Sequence, residues 1–437
     1  MTVGLWARWA TLHGAPRTVM RIRSRFGDPL ARLLAGHGRG INPYPLYDEI
    51  RTRGPLVKTR YAWVTADHVV CREVLRDKRF GVVPSADLYL PAPLRALMRR
   101  TDPDVPNPVE PPAMVIVDPP DHTRYRQLVA QSFTPRAVSS LENRVIKMTA
   151  TLIERLAELP APDLIADFAA ALPIAIIADI LDIPDDVRSH ILAWGHAGTP
   201  LLDVGISWRT YRGAIEALRV AKTDLTAHFA GLRARGESRS PFGRLAADGA
   251  LTERELTANA SLLVGAGFET TVNLIGNGIV ALLDHPDQLE LLAREPELWP
   301  NAIEEILRLH SPVQMTARAP HCDVEIAGHR VRAGQTVALM LGGANRDPKI
   351  FPEPDHLDVT RANAREHLAF VTGVHACLGA PLARIEGITA LRALFDTFPN
   401  LRLTEPPRWC TLTNLRGYPT LPAALHSDDR RHTPMPL

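Results

Sequence analysis

The sequence predicts a mainly helical fold with a small β region, and three observations support this prediction. Residues 262–283 form an apolar stretch with a single charge, long enough for a helix through the middle of a large core. Further helical patterns fill residues 136–247. Patterns typical of strands occur in short segments, at residues 57–66, 312–320, 324–341 and 401–425.

Length and composition fit one large intracellular protein. The chain has 437 residues, 46% of them hydrophobic, which is enough to bury a large core. The formal net charge of +2 gives no general attraction to nucleic acid. The four cysteines show no zinc-site or disulfide spacing, which favours a reducing, cytoplasmic location.

The chain divides into a lead-in, one domain and a tail. Residues 1–40 mix tryptophan with arginine and lack the apolar run of a signal peptide or membrane anchor. We expect a solvated helix there, with contact to a membrane surface as the alternative. Residues 41–425 are expected to form a single domain, and residues 426–437 a polar, disordered tail.

The first part of the domain contains short elements and a proline-rich segment. Residues 42–56 and 68–77 predict helices on either side of the strands at 57–66. The many prolines between residues 82 and 112 exclude one long helix, so we expect a long loop with a short helix at 94–99.

His122 and Arg126 lie four residues apart in a segment that begins with Asp118-Pro119-Pro120, a strong helix-entry signal. They therefore share one face of a helix, where two donors suit a carboxylate or a phosphate. A solvated basic face is the alternative. Farther along, the polar residues 231–244 predict a connection between helices.

The central helix is expected over residues 251–284, and Thr252 with Glu255 predicts a capping box at its start. A transmembrane role is rejected because Glu269 and several polar residues interrupt the apolar stretch. Thr270 is placed to hydrogen-bond the carbonyl of Ala266. Gly265 and Gly267 are expected to leave room for a flat ligand.

The segment after residue 300 combines helix, strand and loop. Glu305 and Arg308 lie three residues apart on a predicted helix at 301–308, where an isolated pair is usually a solvated salt bridge. Residues 312–320 then predict a strand. Another pair of strands is expected within 324–341.

Cys377 lies in the stretch FVTGVHACLGAPLAR, residues 370–384. Gly373 and Gly379 bracket it, and Pro381 suits the first turn of a following helix. Exposed amides and the helix dipole favour the thiolate there, and a thiolate can ligate a metal. We expect an ordinary negative φ at Val371. A buried structural cysteine is the alternative.

The stretch resembles the haem-ligand loop of the cytochrome P-450 superfamily, F-G-x-G-x-[HR]-x-C-x-G. It departs from that pattern at Val371, where glycine is usual. The matching positions are Phe370, Gly373, His375, Cys377 and Gly379.

Three other segments resemble the same family. Residues 266–271, Ala-Gly-Phe-Glu-Thr-Thr, match its [AG]-G-x-[DE]-T-[TS] motif. Glu305 and Arg308 match its structural E-x-x-R pair; the usual third member is an arginine in a later segment, where His356 now stands and Arg361 follows. If His356 completes that network, a group titrating near neutral pH enters it.

The resemblance implies a triangular helical prism around a long central helix, holding haem b with Cys377 as the axial thiolate. It implies that Ala266 and Gly267 lie against the haem, and that Glu269 and Thr270 deliver protons to O2. It places four basic residues around the haem propionates: His122, Arg126, Arg318 and His375.

The implied activity is monooxygenation of an apolar molecule such as a lipid, terpenoid, steroid or polyketide-like compound, with a branched-chain lipid or terpenoid favoured. Electrons would come from NAD(P)H through a separate ferredoxin and ferredoxin reductase, and the protein would act as a monomer. A peroxide-driven enzyme, a haem protein that only binds a ligand and a haem-free scaffold remain alternatives. The implied pocket is lined by Leu262, Leu263, Ala266, Val313 and Gln314.

Overall fold

The computed structural model describes residues 2–36, 40–82, 91–184, 188–236, 238 and 240–425. The predicted tail at 426–437 lies outside these ranges, as does part of the predicted proline-rich loop, at 83–90. The prediction of a mainly helical fold with a small β region is confirmed.

Helices make up most of the first half of the chain. They are α1 (Thr2–Trp9), α2 (Ala15–Ser24), α3 (Pro29–Ala35), α4 (Tyr44–Arg53), α5 (His68–Arg76), α6 (Ala92–Arg100), α7 (Asp121–Val129), α8 (Pro135–Glu158), α9 (Ala171–Leu181), α10 (Arg188–Gly198) and α11 (Trp208–Arg235). A π-helical segment, Ala10–Gly14, joins α1 to α2, and another, Leu164–Ala169, precedes α9.

The second half begins with helices, continues through the loops around Cys377 and ends with a helix and two short strands. Its helices are α12 (Pro241–Asp248), α13 (Glu253–Asp284), α14 (Pro286–Arg294), α15 (Trp299–Leu309), α16 (Leu341–Ala344) and α17 (Ala380–Thr397). The strands are β1 (Val57–Lys58), β2 (Trp63–Thr65), β3 (Phe80–Gly81), β4 (Thr316–Pro320), β5 (Val324–Ile326), β6 (His329–Val331), β7 (Val337–Leu339), β8 (Arg402–Leu403) and β9 (Ala423–Ala424).

Helix α13 runs through the largest core and packs against α9, α10, α15 and α17. The predicted capping box is present: Thr252 Oγ1 accepts from the Glu255 amide, and the Glu255 carboxylate accepts from the Thr252 amide. Two segments, Leu164–Leu181 and Glu253–Asp284, have the length and hydropathy of membrane spans, but 72% of each is buried inside the protein. Both therefore serve as core helices here.

The main sheet has the strand order β1-β2-β7-β4-β3, in which only β2 and β7 pair in parallel. Strand β4 lies between β7 and β3, with Arg318 opposite Val337. The side chain of Arg318 is buried. Two hairpin-like pairs, β5-β6 and β8-β9, lie outside this sheet.

The connection predicted at 231–244 is shorter in the structure. Helix α11 continues to Arg235 and α12 begins at Pro241, so the connection is confined to the few residues between them. Gly231 does not end the helix, whereas Gly236, with φ of +68°, caps it in the left-handed conformation. The polar composition reflected the exposed face of α11.

The lead-in is helical, as expected, but it is not simply solvated. Leu5 packs in a cluster with Ile206 and Tyr211 near the start of α11. Arg8 is buried, donates to the carbonyl of Met98 at 2.6 Å and pairs with Glu110. One side of the lead-in is therefore docked on the domain.

Candidate active site

The loop before α17 carries Cys377. Two backbone hydrogen bonds of 2.9 Å close it, from the Val371 amide to the Leu368 carbonyl and from the Cys377 amide to the Phe370 carbonyl. Val371 has φ of +48°, so the expected negative φ is wrong. The loop keeps the left-handed turn for which glycine is suited, and a β-branched residue bears the strain.

Gly373 is required in this loop for two reasons. Its φ is +78°, and a Cβ placed on it would lie 2.2 Å from the carbonyl oxygen of Leu75. The loop is therefore pressed against the C-terminal end of α5, which fixes the position of the residues that lead to Cys377.

The side chain of Cys377 is exposed, yet burial by the surrounding protein raises the pKa of its thiol. Hydrogen bonds from the Gly379 and Ala380 amides, together with the charge of Arg126, lower that pKa in part. The thiol thus lines an internal space that a molecule can enter. In the protein alone, burial raises the pKa of this thiol by more than the amides at the helix N-terminus lower it. A cation bound to the sulfur would favour the thiolate instead.

A group of basic side chains surrounds the approach to Cys377. Arg126 donates from Nη2 to the carbonyl of Ala376 at 2.8 Å, next to the cysteine. The rings of His122 and His375 lie 4.2 Å apart, centroid to centroid. Nε2 of each histidine is buried and has no hydrogen-bond partner among the described residues.

Crowding and burial shift the pKa values of this group. Burial, with Arg318 and His122 nearby, lowers the pKa of His375 to about 3. Burial lowers the pKa of Arg318 to about 10, and burial with Arg126 lowers that of His122. Asp118, 3.6 Å from Nε2 of His375, is the carboxylate nearest to the group among the described residues. Such a group is suited to bind additional negative charge.

One face of α13 opens onto a free space in the middle of an otherwise buried helix. Ala266 is exposed, whereas Leu262 and Leu263 before it and Phe268 after it are buried. A Cβ built on Gly265 would meet nothing within 4 Å. This surface leaves room for a flat molecule, as the sequence predicted for Gly265.

The expectation for Gly267 is wrong. A Cβ on Gly267 would lie 2.9 Å from Cδ1 of Ile177 in α9, so this glycine permits close helix packing on the other side of α13. Thr270 behaves as predicted, because its Oγ1 donates to the carbonyl of Ala266 at 2.6 Å.

Glu269 is tied to helix α10. Oε1 of Glu269 lies 2.8 Å from Nδ1 of His196, and the His196 ring packs edge-on against Phe268. The glutamate is largely shielded, whereas the histidine is about half exposed. Sequence reasoning assigned no chemistry to this part of the chain and missed His196, since only tertiary packing brings α10 over Glu269.

Val313 and Gln314 differ from the expectation that both line a pocket. Val313 is partly exposed beside the cluster that contains Leu341. Gln314 is buried, donates from Nε2 to the carbonyl of Ser311 and accepts from the hydroxyl of Tyr47. Both ends of its side-chain amide are therefore hydrogen-bonded within the protein. This arrangement differs from the predicted polar contact with a substrate.

The E-x-x-R pair forms part of a buried network. Arg308 donates to both oxygens of Glu305, at 2.7 and 2.8 Å. The third member is Arg361, whose Nε lies 3.0 and 3.1 Å from the same two oxygens. His356 contributes its carbonyl oxygen to both arginines and not its imidazole. The imidazole of His356 therefore does not complete the network.

A second network, which sequence reasoning missed, supports Phe370. Glu304 is buried, accepts from Nε of Arg384 at 2.6 Å and contacts Nε2 of His367 at 2.9 Å. The Arg384 guanidinium lies over the Phe370 ring, 4.7 Å from its centroid. The adjacent glutamates in α15 were the available signal, but sequence alone does not show that both are buried.

Comparison with known proteins places this site in a family context. A family model described as cytochrome P-450 matches residues 240–408. Cytochrome P-450 140 of Mycobacterium tuberculosis is 45% identical over 424 residues, covering 95% of this chain and 97% of the relative. The 6-deoxyerythronolide B hydroxylase of Saccharopolyspora erythraea is 36% identical, covering 88% and 96%.

A solved structure shows the same likeness in three dimensions. The crystal structure of P-450BioI, in complex with an acyl carrier protein ligated to hexadec-9Z-enoic acid, superposes with a TM-score of 0.81. The two chains are 33% identical, and the match covers 88% of this chain and 99% of the other.

Proposed function

Because the chain belongs to the cytochrome P-450 family and is a monooxygenase of that family, we propose that it hydroxylates or epoxidises an apolar small molecule. The proposal assigns haem b as the cofactor, and the thiolate of Cys377 would hold its iron. When bound, haem supplies the activation of O2 that no side chain provides. The residues described above supply binding, orientation and proton transfer.

One observation carries this proposal: an accessible thiol lies beside buried basic nitrogens that have no hydrogen-bond partner among the described residues. The thiol of Cys377 offers the soft anionic ligand that iron accepts. Two residues earlier, His375 faces His122, and Nε2 of both rings lacks such a partner. A haem carries iron and two carboxylates, so its chemistry fits both halves of the site.

In the proposed holoprotein, the propionates are held by His122, Arg126, Arg318 and His375. Burial, with the nearby arginines, lowers the pKa values of the two histidines, and negative charge there would oppose this effect. Gly265 and Ala266 provide the open helix surface against which a flat ring fits. A Cβ on Gly267 would instead point towards Ile177 in α9.

Proton delivery is assigned to Glu269 and Thr270. The Thr270 hydroxyl reaches the free side of α13 next to Ala266 and can exchange its donor bond from that carbonyl to an ordered water. Glu269 is shielded but touches the half-exposed His196. It can therefore receive protons from the solvent side through His196.

The substrate is proposed to be a lipid, terpenoid, steroid or polyketide-like molecule, with a branched-chain lipid or terpenoid favoured. The side chains of α13 around its free side are apolar: Leu262, Leu263 and Ala266. Among the similar proteins, one is named 6-deoxyerythronolide B hydroxylase, and one solved structure is a complex with an acyl carrier protein ligated to hexadec-9Z-enoic acid. Apolar walls favour such molecules over sugars or nucleotides.

Electrons are proposed to come from NAD(P)H through a ferredoxin and its reductase, and the protein is proposed to act as a cytoplasmic monomer. A peroxide-driven enzyme does not need an acid and an alcohol beside the reacting centre. Product formation with NADH and ferredoxin partners, compared with hydrogen peroxide alone, separates these two reactions. Glu269→Gln should lower only the first, by about 10²-fold.

The first experiment is the carbon monoxide difference spectrum of the reduced protein, recorded for wild type and Cys377→Ala. Cys322→Ala, at an exposed cysteine on another part of the surface, is the matched control. We expect a strongly red-shifted Soret band in wild type and in the control, and its loss in Cys377→Ala. The same band in Cys377→Ala would overturn the assignment of the ligand. Spin-state shifts with a panel of apolar compounds then identify substrates.

A further inference from the structure

The lead-in helices carry the most exposed large apolar side chains of the described chain. Val3 is 81% exposed and Phe26 75% exposed, and Trp6 and Ile22 are each at least half exposed. Val3 and Trp6 are three residues apart in α1 and share a helix face. Ile22 lies in the last turn of α2, and Phe26 lies in the turn that follows this helix.

Arginines accompany these apolar residues without acidic partners. Arg17, Arg21, Arg23 and Arg25 form no ion pair with any carboxylate in the part of the chain that the structure describes. Burial and the neighbouring Arg21 lower the pKa of Arg17, which shows that like charges are crowded. This cluster therefore has unused capacity for an anionic partner.

The opposite side of the lead-in is fixed to the domain. Nε1 of Trp9 donates to the carbonyl of Ile206 at 3.0 Å, and the ring of His13 packs on Tyr211 in α11. Arg8, in contrast to the four arginines above, is paired with Glu110. The exposed face is thus presented by a helix held in place and not by a loose extension.

The shape of this face favours a planar partner. Residues 3–26 are helical almost throughout, which corresponds to about 35 Å of length. Apolar side chains at both ends, with arginines among them, match the composition of helices that lie in the surface of a lipid bilayer. A second copy of this chain would bring two arginine clusters together, which like-charge repulsion opposes.

We propose that residues 3–26 form an interfacial helix that binds the surface of an anionic lipid bilayer. The apolar side chains Val3, Trp6, Ile22 and Phe26 enter the headgroup region, and the exposed Arg21 and Arg25 contact lipid phosphates. The helix contacts the segment before α11, so binding holds that side of the domain at the membrane. An apolar substrate dissolved in the bilayer would then be close to the enzyme.

The test is co-sedimentation of the full-length protein with lipid vesicles. Phosphatidylcholine vesicles containing phosphatidylglycerol are compared with phosphatidylcholine alone, at low and high salt. We expect binding to the anionic vesicles that weakens with salt, and an increase in tryptophan fluorescence from Trp6 on binding. Failure of wild type to bind anionic vesicles at low salt would overturn the proposal.

Two double variants separate the contributions. Ile22→Ser with Phe26→Ser should lower vesicle affinity about tenfold or more because apolar area no longer enters the lipid. Arg21→Gln with Arg25→Gln should lower it by a similar factor and flatten its salt dependence. The matched control is Val69→Ser with Arg72→Gln in α5, which removes an exposed apolar residue and an exposed arginine elsewhere.

Unchanged affinity in both lead-in variants would contradict the proposal. An acidic protein partner is the competing explanation, and it predicts a different pattern. Binding to an acidic ferredoxin that is lost with the arginine pair, together with no binding to vesicles, would assign the face to a protein. Because haem loading does not enter this assay, its failure is distinguishable from failure of the proposed monooxygenase reaction.

Discussion

His196 on α10 and Glu269 on the central helix are joined by a 2.8 Å contact between Nδ1 and Oε1. The hydrogen bond to Glu269 raises the pKa of the imidazole, against the opposing effect of burial. Among the described residues of the helices packed around His196, Glu269 is the charged group that affects its pKa. The contact therefore links a titrating group on one helix to the proposed proton donor on another.

Replacing His196 should change stability in a pH-dependent way. A histidine with a raised folded pKa contributes stability that is fully present below its unfolded value of about 6.5 and is lost as the pH rises through the folded value. His196→Asn should therefore lower Tm below pH 6.5 and have little effect at high pH. Thermal melts across this range test it, with the exposed His329→Asn as control.

His196→Lys provides a sharper second measurement. Lysine keeps a positive charge beside Glu269 at pH values where histidine has lost its proton. We expect this variant to extend the pH range of coupled turnover upward, while His196→Asn lowers coupling throughout. Identical pH profiles for wild type, His196→Asn and His196→Lys would remove His196 from the proposed proton route.

Because the backbone at Val371 is strained, we expect a glycine variant to be more stable than an alanine variant there, the reverse of the usual order. At a position with negative φ, glycine is less stable than alanine by roughly 0.5–1 kcal/mol. At φ of +48° the left-handed backbone penalises every residue with a Cβ, by about 1–2 kcal/mol. Val371→Gly should therefore be more stable than Val371→Ala, by about 1 kcal/mol.

Both Val371 variants lose the same valine contacts, so their difference isolates the backbone effect. Val374 in the same loop, with no positive φ, is the matched control site. There, glycine should be the less stable of the two replacements. Chemical denaturation of the four variants measures both differences, and the same order at both sites would argue against strain at Val371.

Glu386 in α17 is buried without a hydrogen-bond partner for Oε1, and burial raises the pKa of its carboxyl to about 8. The folded protein therefore favours the protonated form, and stability falls as the pH rises from the unfolded value of about 4.3 towards 8. Glu386→Gln removes this penalty. Its Tm should exceed that of wild type increasingly between pH 5 and 8.

The exposed Glu405 offers the control for this prediction, because Glu405→Gln changes the same functional group where no burial acts on it. Calorimetry at pH 5 and pH 8 is sufficient. A Tm difference between Glu386→Gln and wild type that does not grow with pH would mean that the buried carboxyl is neutralised by a partner in solution.

The sequence predicted the elements well and several side-chain positions poorly, for physical reasons. Thr252 and Glu255 predicted the start of α13 because a capping box is a local interaction. The two glycines of the Gly265-Ala266-Gly267 segment lie on different sides of that helix, and only the position of Ile177 in α9 distinguishes them.

The other misses also depend on contacts between distant segments. The position of Gln314 in the sequence predicted a pocket residue. In the structure its side chain accepts a hydrogen bond from Tyr47, which lies far away in the chain. The dihedral angle of Val371 is imposed by the loop closing on itself, against the preference of valine. His196 shows no motif and acquires its role only through contact with Glu269.

Arg384 and Arg365 both approach Glu304, and their difference predicts which one supports the loop of Cys377. Arg384 lies 2.6 Å from the carboxylate and covers Phe370, whereas Arg365 lies at 3.9 Å and is 72% exposed. Arg384→Gln should destabilise the protein by about 1–3 kcal/mol, because the buried Glu304 loses its hydrogen-bonded cation. Arg365→Gln should stay within about 0.5 kcal/mol.

The Arg384→Gln and Arg365→Gln variants also show whether the Glu304 network positions the Cys377 loop or only stabilises the fold. If Arg384 positions Phe370, the Arg384→Gln protein should show a shifted haem reduction potential and faster conversion of its carbon monoxide complex to the form lacking thiolate ligation. Arg365→Gln should match wild type in both measurements. Loss of stability in Arg384→Gln with an unchanged potential and spectrum would show that the Glu304 network holds the core together without acting on the Cys377 loop.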